Sequence, residues 1–188
     1  ASAIAKLSAR AGKPHEGLPR PWRTASANIF ERDAFDVFAF SPPGAVTPNP
    51  QLIALGERLF SEAKLSGPRT RACVSCHMPA KAFADGLVRP TALAGAGHAG
   101  ARLRNTPTLL NAALQRTQFA DDRAGSLETQ VKFVLESPME MSSSPDGAAA
   151  AIAEDPSYQA AFASAMPDRP EGAVTGIDIQ RALATYMR

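Results

Sequence analysis

The chain of 188 residues contains two cysteines, and both fall in one pentapeptide, Cys73-Val74-Ser75-Cys76-His77. Thiols at i and i+3 lie on one side of a helical turn, where each can add to a haem vinyl group. The adjacent imidazole then reaches the iron as proximal ligand. The competing readings of such a motif are weaker. A structural zinc site wants four ligands, and no second Cys/His cluster completes one. A redox-active dithiol wants a βαβ setting that the flanks lack. A disulfide this short would be strained. The motif therefore predicts one covalent haem c, held by Cys73 and Cys76 and ligated by His77.

A 45% hydrophobic composition suffices for one large domain or two small ones. The net charge of +2 gives no reason to expect nucleic acid or an acidic membrane surface as partner. No apolar run approaches the length of a membrane span. Sixteen prolines predict helices separated by stiff connections, for which a cofactor supplies the missing core. The expected fold is mostly α: a c-type cytochrome domain with helices and long loops wrapped round one covalent haem. Haem c is attached outside the bacterial cytoplasm, so a periplasmic protein is expected, exported and with its leader removed.

Residues 1–47 read as an extended, proline-rich arm and residues 48–188 as the haem domain. Pro14, Pro19, Pro21, Pro42 and Pro43 forbid long helices in the arm. The arm also carries Phe30, Phe35, Val37, Phe38 and Phe40. That much apolar surface is expected to pack back on the haem domain or to meet another chain. His15 reads as a solvated surface histidine.

Beyond the arm, Asn49-Pro50 reads as an N-cap with Pro at the first helical position, followed by a stripe of Leu52, Leu55, Leu59 and Phe60. Thr106-Pro107 is expected to start a second helix, with Leu109, Leu110, Ala113 and Leu114 inward. Ser126 caps a third, buried through Leu127, Val131, Val134 and Leu135. A short alanine-rich helix is expected over Ala148 to Glu154. Another begins at Asp155-Pro156 with Tyr158, Ala161, Phe162 and Ala165 on one face. Thr175 and Asp178 form a capping-box start to the last, with Ile179, Ala182, Leu183 and Tyr186 inward.

Three polar positions stand out. His98 lies in Ala-Gly-His-Ala-Gly, within a long glycine-containing loop from Ala80 to Arg104. On composition it is a surface histidine; its place after the haem motif makes it a candidate distal ligand. Gln130 falls beside the apolar stripe of its helix, either satisfied by backbone or aimed into a cofactor pocket. Glu140 lies between Met139 and Met141. It is either a solvated loop carboxylate or a half-buried acid of raised pKa, suited to moving protons.

Several strings together resemble the N-terminal half of the bacterial dihaem cytochrome c peroxidase and MauG family. They are Leu55-Gly56-Glu57-Arg58-Leu59-Phe60, Leu65-Ser66-Gly67, the haem motif, Phe83-Ala84-Asp85-Gly86, Arg104-Asn105-Thr106-Pro107-Thr108-Leu109-Leu110-Asn111 and Pro138-Met139-Glu140-Met141. Leu127-Glu128-x-Gln130 and the helix from Ile179 to Tyr186 complete the set. The resemblance runs from about Pro48 to the end. It implies that Gln130 and Glu140 are the distal pair, Glu140 being the acid/base for O–O cleavage. It also implies that His98 caps the resting iron and that Asn105 is a calcium ligand. The chain departs from the pattern in two ways. Ala120 stands where the family places tryptophan on the path between its haems, with Asp122 for the following glycine. The second haem motif is also absent, so a second haem would come from a missing half or a partner chain.

Two functions follow from these readings. The first is a peroxidase or MauG-like oxidase that reduces hydrogen peroxide or oxidises a partner, with a small redox protein as donor or a protein as substrate. The alternative is a monohaem electron-transfer cytochrome, closed by His98 or by a methionine, or a cytochrome subunit of a larger redox complex with the arm as its docking element.

Overall fold

The structure is a computed structural model and describes residues 19–23, 28–31, 33–88, 104–170 and 172–188. Among them are five α-helices and no strands: α1 (Pro50–Phe60), α2 (Leu127–Glu136), α3 (Pro145–Ala153), α4 (Pro156–Ala165) and α5 (Gly176–Tyr186). Isolated backbone bridges join Trp22 to Phe35, Met78 to Ala84 and Gln118 to Ala124. No helix among the described residues is long and apolar enough to cross a membrane.

Each helix starts on a side chain that satisfies an otherwise orphaned N–H. The Leu52 N–H donates to Asn49 Oδ1 at 2.8 Å, and Asn49 Nδ2 reaches across to the Ala165 carbonyl at 2.9 Å. The Thr129 N–H donates to Ser126 Oγ and the Ser157 N–H to Asp155 Oδ1. The Thr175–Asp178 capping box is closed from both sides, at 2.9 and 3.3 Å. Helix α3 begins three residues earlier than expected. Ser144 caps it, with Pro145 at the first position, inside a run of serines that reads as loop in sequence.

The core gathers the apolar stripes of all five helices, including Leu52, Leu59, Leu135, Ile152, Phe162 and Leu183, each 2% exposed or less. Helices α1 and α5 cross where Gly56 allows close approach. A Cβ there would stand 2.4 Å from the Ala182 carbonyl oxygen and 2.7 Å from Tyr186 Cβ. Gly176 plays the same part where α5 meets Pro145.

The helix expected from Thr106 is absent. The segment is extended, with one 3-10 turn at Ala112–Leu114, and Leu110 is half exposed. Its polar groups are engaged elsewhere. Thr106 Oγ1 donates to the buried Asp85 at 2.8 Å, Thr108 Oγ1 donates to the Ala82 carbonyl, and Asn111 adopts a left-handed conformation at φ 61°.

The described part of the arm turns back on itself at the Trp22–Phe35 bridge, where the two rings meet edge-on at 5.5 Å. Val37 packs against Ala112, Ala113, Leu127 and Ala184, while Phe30 remains 89% exposed.

Candidate haem site

Cys73–Ser75 forms a single 3-10 turn, closed by the Cys76 and His77 N–H groups on the Cys73 carbonyl at 3.2 and 2.9 Å. Ser75 Oγ accepts from the Ala72 N–H at 3.1 Å and steadies the entry. Both thiols are free and half-buried. Burial pushes the Cys73 thiol up to about 12 and raises Cys76 as well, against the pull of Arg71.

His77 Nδ1 donates to the Phe83 carbonyl at 2.9 Å, which leaves Nε2 as the nitrogen free to bind a metal. Burial pushes the imidazole pKa down, with the Phe83 and Pro107 carbonyls opposing it. A metal takes the neutral ring that burial favours. The loop that presents the Phe83 carbonyl is held from below by Asp85. Its carboxylate accepts from the Leu87 N–H and from Thr106 Oγ1, and its own carbonyl accepts from Lys81 Nζ at 2.7 Å. Those bonds, the Leu87 N–H first, keep the Asp85 pKa low despite burial. Asp85 and Thr106 were legible only as letters in two strings; their joint role in aiming His77 needed the tertiary contact.

Gln130 lies on α2, half-buried, and its Oε1 is buried without a hydrogen-bond partner among the described residues. A buried amide acceptor left open fits a group or substrate that the protein atoms do not include. Glu140 corrects one expectation: it is exposed rather than half-buried. The turn from Ser137 is closed by Glu140 and Ser142 N–H groups on the Ser137 carbonyl, and Met141 alone is sealed in the core, at 2% exposure. Protein nevertheless crowds the Glu140 carboxyl on enough sides for burial to raise its pKa, with Arg123 and Arg71 pulling it back. Its charge also raises the Cys76 thiol, so the acid lies within electrostatic reach of the attachment turn. Free paired thiols, a tethered imidazole and an open buried amide together fit a covalently held haem.

Within electrostatic reach of Glu140, the Arg123 guanidinium lies 3.5 Å over the Phe119 ring and pairs with Asp121 at 2.7 Å. Phe119 in turn meets Phe133 of α2 at 6.2 Å. Ala120 is exposed. Asp122 takes the left-handed conformation, φ 57°, with the Thr117 hydroxyl donating to its carboxylate. Asn105 is exposed, beside the buried Thr106. His98 lies outside the described residues, as does His15. Met141 and Met166 belong to the core, whereas Met139 and Met187 are half-buried.

A family model for di-haem cytochrome c peroxidase matches residues 50–188. The chain belongs to that family. It is 34% identical over 147 residues to the methylamine utilization protein MauG of Methylorubrum extorquens, covering 78% of this chain and 40% of that protein. It is also 34% identical over 113 residues to the cytochrome c551 peroxidase of Pseudomonas aeruginosa, covering 60% of this chain and 32% of that one. Among solved structures it resembles a MauG-like protein associated with microbial copper homeostasis, with a TM-score of 0.62 and 25% identity, over 79% of this chain and 45% of that one. The diheme peroxidase BthA of Burkholderia thailandensis follows at a TM-score of 0.55 and 28% identity, over 75% and 39%. The mostly α, c-type fold expected from sequence is thus the family's fold, and haem c its cofactor. The chain spans about 40% of the length of the MauG proteins it matches.

Proposed function

We propose that this chain is a haem c redox domain acting as a peroxidase or MauG-like oxidase, in which hydrogen peroxide is reduced or a partner protein is oxidised. Cys73 and Cys76 hold one haem, His77 is its proximal ligand, and Gln130 and Glu140 serve the opposite face. The observation that carries this reading is the buried Gln130 Oε1, without a partner among the described residues, in a chain whose attachment turn also feels the charge of a carboxyl of raised pKa.

When bound, the haem supplies an iron that takes up peroxide and stores oxidising equivalents. The protein's part is positional and protonic. His77 keeps its Nδ1 proton on the Phe83 carbonyl, which fixes the tautomer and strengthens Nε2 as a donor. Gln130 Oε1 accepts a hydrogen bond from a peroxide O–H and so fixes the substrate's orientation. The Glu140 carboxylate takes the proton from the near peroxide oxygen and returns it to the leaving oxygen; a raised pKa suits both transfers. Arg123 and Arg71 hold that rise in check.

Electrons arrive from a small redox protein or from a second haem, carried by a further domain or a partner chain. His98 serves as the resting ligand and Asn105 as a calcium ligand. The protein works in the periplasm after export. Residues 1–47 form an arm appended to the haem domain of residues 48–188.

A second reading, a monohaem electron-transfer cytochrome or a subunit of a larger redox complex, is favoured by exposed Ala120 in place of an aromatic relay. Ferric and ferrous absorption spectra recorded with and without peroxide separate the two. Peroxidase function predicts high-spin ferric iron, or a ligand lost on reduction, together with a prompt response to peroxide. Low-spin bands indifferent to both treatments would sink it.

A further inference from the structure

On the proximal side, three aromatic rings form a closed set. Phe60 lies 5.2 Å from Tyr186 and 6.1 Å from Phe83, and Phe83 lies 6.5 Å from Tyr186. Edge-on and tilted packing of this kind fixes the rings against one another. Phe83 is also the residue whose carbonyl holds His77 Nδ1 at 2.9 Å. The set therefore begins one hydrogen bond from the imidazole and ends at Tyr186. The rings line a recess of about 200 Å³, which Leu109 and Met187 complete.

Tyr186 is held in place by more than its ring contacts. Its Cβ lies against Gly56 at the crossing of α1 and α5, where an added Cβ would come within 2.7 Å of it. The residue is half-buried, it lines the recess, and no described residue accepts a hydrogen bond from its hydroxyl. Burial raises its pKa, and the charge of Glu57 raises it further. The phenol thus stays protonated at neutral pH, and losing an electron means losing the proton too.

We propose that Tyr186 is a redox-active relay that passes an oxidising equivalent from the haem to the protein surface through the Phe83–Phe60 aromatic set. The step rests on the peroxide chemistry proposed above. Hydrogen peroxide takes up two electrons and two protons and leaves as two waters. One of those electrons comes from the haem centre itself and the other, through it, from the Tyr186 phenol. The phenolic O–H bond breaks, its proton passes to solvent, and a neutral tyrosyl radical remains. An electron-donating redox protein at the recess restores the phenol, the proton returning from solvent.

The chain offers an internal control, because it holds only two tyrosines. Tyr158 is buried, with its hydroxyl donating to Glu62 at 2.9 Å and Arg58 stacked 3.7 Å over its ring, away from the recess. Full-length haem-loaded protein, labelled with ring-deuterated tyrosine, is mixed with peroxide, freeze-quenched and examined by electron paramagnetic resonance. A radical whose lines narrow on deuteration is expected in the wild type and in Tyr158→Phe, and its loss in Tyr186→Phe. The absorption spectrum and thermal midpoint of Tyr186→Phe should match the wild type. A spectral response to peroxide without a tyrosyl signal, or a signal that survives in Tyr186→Phe, overturns the relay and leaves the peroxide reading standing. No spectral response at all overturns the peroxide reading and the relay with it.

Discussion

Glu140 shows how much one side chain's setting decides. Its neighbours in sequence are methionines, yet only Met141 enters the core, because the Ser137 turn points the acid outward. The carboxyl still titrates above its ordinary range, since crowding by protein outweighs Arg123 and Arg71. A pKa higher in the folded than in the unfolded chain means that the protonated acid is the better tolerated form. Its stabilising share is complete below the unfolded pKa and is lost as pH rises through the folded one. Glu140→Gln should therefore leave haem attachment and acid stability unchanged while abolishing peroxide turnover, with the activity measured across a pH series. Retained turnover removes Glu140 from the mechanism. The left-handed conformation of Asp122 is also understandable at this scale: aspartate tolerates that region, and the Thr117 hydroxyl holds its carboxylate.

The helices owe their ends to caps and their mutual approach to glycines. Ser126→Ala removes the acceptor for the Thr129 N–H and should cost about 1 kcal/mol in chemical denaturation. Gly56→Ala sets a methyl against the Ala182 carbonyl and Tyr186 Cβ, neither of which is the far end of a flexible chain. A loss of roughly 1–3 kcal/mol is expected, read from the denaturant midpoint, despite alanine's better helix propensity. The same element scale explains the missing helix after Thr106. Its local signal, a Thr-Pro start and an apolar spacing, is real. It loses to long-range bonds with Asp85 and Ala82, which steady the loop that aims His77.

Across the whole molecule, the arm, the start of α2 and the residue after α5 meet at one buried ion pair. Arg188 Nη2 lies 2.6 Å from Glu128 Oε1, the two side chains being 4% and 12% exposed. The Phe38 ring sits 5.6 Å from the same guanidinium. Arg188→Ala would strand the Glu128 carboxylate and should destabilise the fold by about 3–5 kcal/mol, measured by urea unfolding. Deleting residues 1–47 uncovers Ala112, Ala113 and Leu127 around Val37, so a lower thermal midpoint is expected with the haem spectrum retained. If the arm instead docks another chain, the deletion changes the size-exclusion volume of the complex and leaves the midpoint alone.

The motif and the periodic features are legible from the chain alone. Cys73, Cys76 and His77 fall within five positions, so the turn that brings them together is local. The stripes on α1, α2, α4 and α5 repeat with the helical period, and their caps lie within three residues of the N–H groups they satisfy. What tertiary structure decided has no local signature. Asp85 meets Thr106 across 21 positions and Glu128 meets Arg188 across 60. Glu140's exposure depends on which residue of a turn the core accepts. Tyr186 reads in sequence as one more buried helical residue; only the crossing at Gly56 sets it against Phe83, whose carbonyl holds His77. Helical periodicity states which side of a helix is apolar, and the burial energy of the assembled chain states what that side will touch.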